Sequence, residues 1–87
     1  MKRGKTKSIK ITKYIIGEDD PESAVKIPLK IFKVAAKIIP KKVLATLQEN
    51  DIDIEQIQKL AEDPDIQGTI LEAESYKKGV RAVISIE

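Results

Sequence analysis

The acidic spacing Asp51-x-Asp53-x-Glu55, with Glu62 at the twelfth position, is laid out like a calcium loop. Such a loop needs a glycine at its sixth position for the sharp turn, and Gln56 stands there instead. The same residues spell a helix start. Asp53 is a strong N-cap with Gln56 three residues on, and Ile52 and Ile57 flank them as a hydrophobic staple would. Carboxylates at a helix N-terminus are accounted for by the macrodipole alone. Glu18-Asp19-Asp20-Pro21-Glu22 would hold a hard cation only weakly and reads as a solvated turn. Gly4, Gly17, Gly68 and Gly79 are too scattered to cradle a phosphate. The chain has no Cys and no His. Zinc, iron–sulfur and disulfide frameworks and thiol catalysis are thereby excluded, along with the commonest general base near neutral pH. Nothing in the pattern places a base against the hydroxyl of Tyr14 or Tyr76, and no spacing supports Lys–Tyr or paired-carboxylate catalysis. The expectation is a chain that is not an enzyme and carries no cofactor and no metal site.

Charge is the more informative chemistry. Residues 1–48 hold 12 basic against 4 acidic side chains, residues 49–74 hold 1 against 9, and residues 75–87 hold 3 against 1. A net charge of +2 therefore conceals a basic first half and an acidic middle. Lys30, Lys33, Lys37 and Lys41 are spaced three, four and four apart, which places them in one stripe if a helix persists that far. Asp51, Asp53, Glu55, Glu62, Asp63 and Asp65 form the acidic counterpart. A surface helix needs polar residues outward, and that bland requirement explains a lysine stripe. The sharper reading is an electrostatic dock. Its partner would be an acidic protein surface or the acidic segment of another copy. Nucleic acid is the alternative, through the lysines and the basic segment 1–7, in a salt-dependent way. Against it stand two arginines (Arg3, Arg81) and three aromatic residues, too few for base readout or stacking. A membrane surface fits the basic amphipathic stretch in outline, but its apolar side is claimed by the core.

These residues must be positioned by a small fold. Eighty-seven residues suit one domain with one modest core. Ile9, Ile11 and Ile15 alternate, Ala24–Ile27 is a short second strand stopped by Pro28, and the two form a hairpin. From Leu29 the period lengthens: Phe32, Ala35, Ala36 and Ile39 make the apolar stripe of a helix, flanked by Ile31 and Ile38 and broken at Pro40. A second helix spans about 41–49 with Val43, Leu44 and Leu47 inward. A third follows the Asp53 cap, with Ile54, Ile57, Leu60 and Ala61 inward, and ends at Asp63-Pro64. Thr69–Glu74 and Val80–Ile86 form a second hairpin, the latter strand alternating cleanly. The reading is an α+β domain over residues 8–87. Two β-hairpins form a mainly antiparallel sheet against two or three helices, in the order β-β-α-α-α-β-β, with strand order left open. Residues 1–7 are read as a basic disordered arm. No apolar run approaches the ~20 residues of a membrane span, no apolar stretch follows the basic start as a secretory signal requires, and a cytoplasmic location is the expectation.

Three segments resemble a small bacterial module of unknown function. They are Val25-Lys26-Ile27-Pro28-Leu29-Lys30-Ile31 with Ile39-Pro40-Lys41-Lys42, then Asp51-Ile52-Asp53-Ile54-Glu55-Gln56-Ile57, then Gly68-Thr69-Ile70-Leu71-Glu72-Ala73-Glu74 ahead of a strand ending in Ile86-Glu87. That module occurs in short proteins with SHOCT-like helical hairpins, some associated with cell-envelope stress. The likeness covers about residues 8–87; the chain departs from it in lacking the N-terminal helical hairpin and in its basic leading segment. The resemblance implies a non-enzymatic interaction or regulatory module and transfers no catalytic residue.

Overall fold

Alternation of aliphatic and polar residues produces four strands that pair into one antiparallel sheet. A computed structural model describes residues 7–87. The strands are β1 (Ser8–Ile15), β2 (Pro21–Pro28), β3 (Gly68–Ser75) and β4 (Val80–Ile86), in the order β2-β1-β4-β3. The two expected hairpins are thus joined through β1 and β4. Ile9 lies opposite Ile27 on one side and Ile86 on the other, and Ile11 lies between Val25 and Ile84. This row of branched side chains builds one oily face, with Ala82 and Ala73 continuing it to the far edge. The β2 edge strand is longer than the expected Ala24–Ile27. Its two prolines sit at its ends, where a missing N–H costs no central pairing.

The helical layer covers that face with Phe32, Ile39, Val43, Leu47, Ile57 and Ala61, all buried. Helix α2 (Lys41–Glu49) packs on β3 and β4, and α3 (Ile54–Glu62) packs beside the segment that precedes α2. Helix α3 begins as the sequence requires. The Asp53 carboxylate accepts from the Gln56 N–H at 2.9 Å, and the Gln56 side chain accepts from the Asp53 N–H at 2.8 Å. Ile57 and Ala61 are buried, but Leu60, expected inside, is 36% exposed at the rim.

The first helical segment corrects the expectation of one continuous helix. It comprises a 3₁₀ turn (Leu29–Ile31), a single α turn, α1 (Phe32–Ala35), and a second 3₁₀ turn (Ala36–Ile38). Ile39 and Pro40 are then extended, with ψ of 132° and 140°. Proline excludes the preceding residue from the α region, which breaks the coil at Ile39. No side chain caps the start of α1, and the stiff β-branched Ile31, Val34 and Ile38 add little helical preference. Lys41 therefore opens α2 and does not continue the stripe of Lys30, Lys33 and Lys37.

The expected arm lies outside the described residues except for Lys7. The Lys7 carbonyl accepts from the Leu29 N–H at 2.9 Å. Its ammonium donates to the carbonyls of Ala61, Asp63 and Ile66 at 3.2, 2.5 and 3.3 Å, placing a cation at the negative end of α3.

Candidate functional site

In the broken segment 29–38, Phe32 points wholly into the core, and the turns around it push a second apolar set outward. Ile31, Val34 and Ile38 are 47%, 75% and 54% exposed. They are interleaved with Lys30, Lys33 and Lys37, all exposed. The product is a surface ridge of branched aliphatics set among ammonium groups, with Lys41 exposed just beyond the Pro40 break. Sequence reasoning assigned Ile31 and Ile38 to the flanks of the buried stripe and passed over Val34. The signal was available, because 31, 34 and 38 repeat at helical spacing and define a second stripe offset from Phe32, Ala35, Ala36 and Ile39.

The cations on the strands find carboxylates: Lys26 and Lys10 reach Glu87 at 3.1 and 3.6 Å, Lys13 reaches Glu22 at 2.6 Å and Arg81 reaches Glu72 at 3.5 Å. In the β3–β4 turn Lys78 reaches Glu49 at 3.1 Å, while Lys77, like Lys42 and Lys59 on the helices, forms no ion pair among the described residues. Arg81 also lies 4.4 Å from the centre of the Tyr14 ring. Among the described residues no ion pair involves Lys30, Lys33, Lys37 or Lys41. Two carboxyls and one phenol carry the imprint of local bonding. The Ser75 hydroxyl and then the Lys78 ammonium hold Glu49 below its ordinary pKa. Lys26, seconded by Lys10, does the same to Glu87. Glu74, accepting from the Tyr76 hydroxyl, pushes that phenol up.

The acidic residues form no single face. Asp51, Asp53 and Glu55 gather at the corner between α2 and α3, while Glu62, Asp63 and Asp65 lie at the other end of α3. All six are exposed, and none forms an ion pair among the described residues. The calcium-like spacing is split by the helix it caps, and among the described residues no group of three carboxylates converges as metal ligands would. At the α2–α3 corner lies a pocket of 340 Å³ lined by Leu44, Leu47, Gln48, Ile52 and Ile54, with Asp53 and Glu55 on its rim. Nothing in the sequence announced this cavity, because its walls come from two helices and the loop between them.

A paired, mostly aliphatic sheet and three short helices account for nearly the whole chain, and one family profile spans the same extent. The family described as YvlB-like protein, C-terminal domain, matches residues 7–85. The chain belongs to that family. The resemblance to a small bacterial-type module is therefore met at the level of the family, while SHOCT-like hairpins and envelope stress are absent from the family's description. No curated protein and no solved structure matches the chain. Among the described residues no helix is long and apolar enough to cross a membrane.

Proposed function

We propose that this YvlB-like domain is a non-catalytic docking module whose working surface is the ridge of Lys30, Ile31, Lys33, Val34, Lys37 and Ile38. Its ligand class is an acidic protein surface with aliphatic side chains among its carboxylates. The observation that carries this reading is the joint exposure of three branched aliphatics and three lysines that form no ion pair among the described residues, beside strands whose cations are paired. Exposing Val34 at 75% gains nothing for folding. Lysine-flanked apolar side chains can be desolvated by a partner while the ammonium groups steer the encounter. The aliphatic content of the ridge favours protein over nucleic acid, whose phosphates have no use for Val34 or Ile38. The family's description as a C-terminal domain supports attachment to a larger working chain. Any tie to SHOCT-like or envelope-stress proteins would supply the setting for this docking and is no part of its chemistry.

The test is titration of a synthetic peptide alternating Glu and Leu into the domain at low and moderate salt. Binding is expected to weaken as salt rises, and about tenfold in the Lys33→Glu/Lys37→Glu variant, because two favourable exposed contacts become repulsive ones. Equal affinity of the variant and the wild type would remove the ridge from consideration.

A further inference from the structure

Both halves of one complementary contact are present on this single chain. The ridge offers projecting aliphatics among cations, and the α2–α3 corner offers a concave aliphatic pocket among anions. Leu47, 1% exposed, is part of the pocket lining, with half-buried Leu44, Ile52 and Ile54 around it. Asp53 and Glu55 stand on the rim and exposed Asp51 follows the end of α2. At 340 Å³ the pocket is at the small end of ligand cavities, which run from roughly 300 to 1,000 Å³. Its lining has few polar groups to orient a small molecule, and it suits aliphatic side chains.

The ridge cannot fill the pocket of its own chain. The Leu29 N–H is bonded to Lys7, whose ammonium sits on the carbonyls at the C-terminal end of α3, so the ridge begins beside that end. The pocket opens at the N-terminal end of the same helix, nine residues away. The segment packs against α3 and contributes nothing to the pocket, whose lining lies on α2, α3 and the loop between them. We infer that the ridge of one copy seats in the α2–α3 pocket of a second copy, with Lys30, Lys33 and Lys37 facing Asp51, Asp53 and Glu55. The contact is heterologous, because the two surfaces differ. Three aliphatic side chains and a charged rim bury less than a standard interface, which places the association at the weak, transient end. This inference rests on the docking role of the ridge and names its partner.

Sedimentation velocity of the chain from about 10 μM to 1 mM, at low and high salt, tests it, a range suited to a weak contact. Wild type is expected to gain mass with concentration and to lose that gain in high salt. Two variants alter exposed positions only: Lys33→Glu/Lys37→Glu on the ridge and Gln48→Lys/Glu55→Lys on the pocket. Each alone should remain a monomer with an unchanged circular dichroism spectrum. An equimolar mixture should associate, and the four substitutions combined in one chain, a charge swap between the two surfaces, should restore self-association. A wild type that stays monomeric at 1 mM in low salt overturns the inference, as does a charge swap that fails to rescue. In either case, retained binding of the Glu–Leu peptide by wild type and its loss in the ridge variant leave the docking role standing with another partner. Capture of monomeric wild type by phosphatidylglycerol vesicles, lost in the ridge variant, also overturns the second-copy assignment and gives the ridge to a lipid surface.

Discussion

Phe32→Ala and Val34→Ala, two residues apart, should differ greatly in cost, and the orientation of the ridge depends on that difference. Phe32 is 0% exposed and is the largest fully buried side chain, the aromatic anchor of a segment with only one α turn and no side-chain cap at its start. Truncating a buried phenylalanine costs about 3–5 kcal/mol from lost burial and the cavity left behind. A chain of 87 residues has a total stability of roughly 4–13 kcal/mol at ordinary per-residue values. Phe32→Ala therefore consumes a large part of the margin. It should lower the urea midpoint by at least about 1 M and the melting temperature by at least about 12 °C. Val34, 75% exposed, should cost less than about 0.5 kcal/mol. Urea titration followed by far-UV circular dichroism reads both variants. Equal costs, or a Phe32→Ala cost below about 1 kcal/mol, would mean that the segment is turned otherwise, and the ridge would cease to exist as a surface.

Two further predictions concern the framework. Asp53→Ala removes the acceptor that satisfies the Gln56 N–H and should destabilise the domain by about 1 kcal/mol, with Asp53→Asn or Asp53→Ser retaining most of it; an unchanged urea midpoint for the alanine variant would contradict the capping geometry. Stability should also fall in acid through Glu49 and Glu87. Their pKa values are lowered on folding from an ordinary value of 4.5, so their contribution is complete above 4.5 and is lost as pH falls through the depressed folded values. Urea midpoints between pH 7 and pH 3 should therefore decline less steeply in Glu49→Gln/Glu87→Gln than in wild type, and identical acid limbs would refute the assignment.

Local rules made parts of this fold legible. The alternation of Val80, Ala82, Ile84 and Ile86 needed only a period of two, and all four are buried as that period requires. The capping box of α3 lies within four consecutive residues, so the sequence contains the entire motif. The first helical segment was harder, because 3₁₀ and α turns share nearly the same spacing over ten residues. Two offset apolar stripes ran along it, and only packing against the sheet and α3 decided that Phe32 and Ile39 go in while Ile31, Val34 and Ile38 stay out. Lys7 reads as one more cation of a basic stretch until the fold brings the end of α3, more than fifty residues on, to meet it. The pairing of β1 with β4 has the same origin. Either hairpin edge could have met the other, and the choice rests on which joined faces bury the most aliphatic surface.

That central pairing bears on how the chain comes into being. The Ser8 N–H donates to the Glu87 carbonyl at 3.1 Å, and the Glu87 N–H donates back to Ser8 at 2.9 Å, so the earliest strand waits for the last one. A nascent chain leaving the ribosome can form its opening hairpin, but isoleucines 9 and 11 lack their second neighbours until β4 emerges. Closing a loop of nearly the full length is slow compared with forming a helix. Folding of this domain is therefore expected to be a single event that waits for β4 to leave the ribosome, with the half-made sheet dependent on its own polar residues, or on a chaperone, to stay apart from its neighbours.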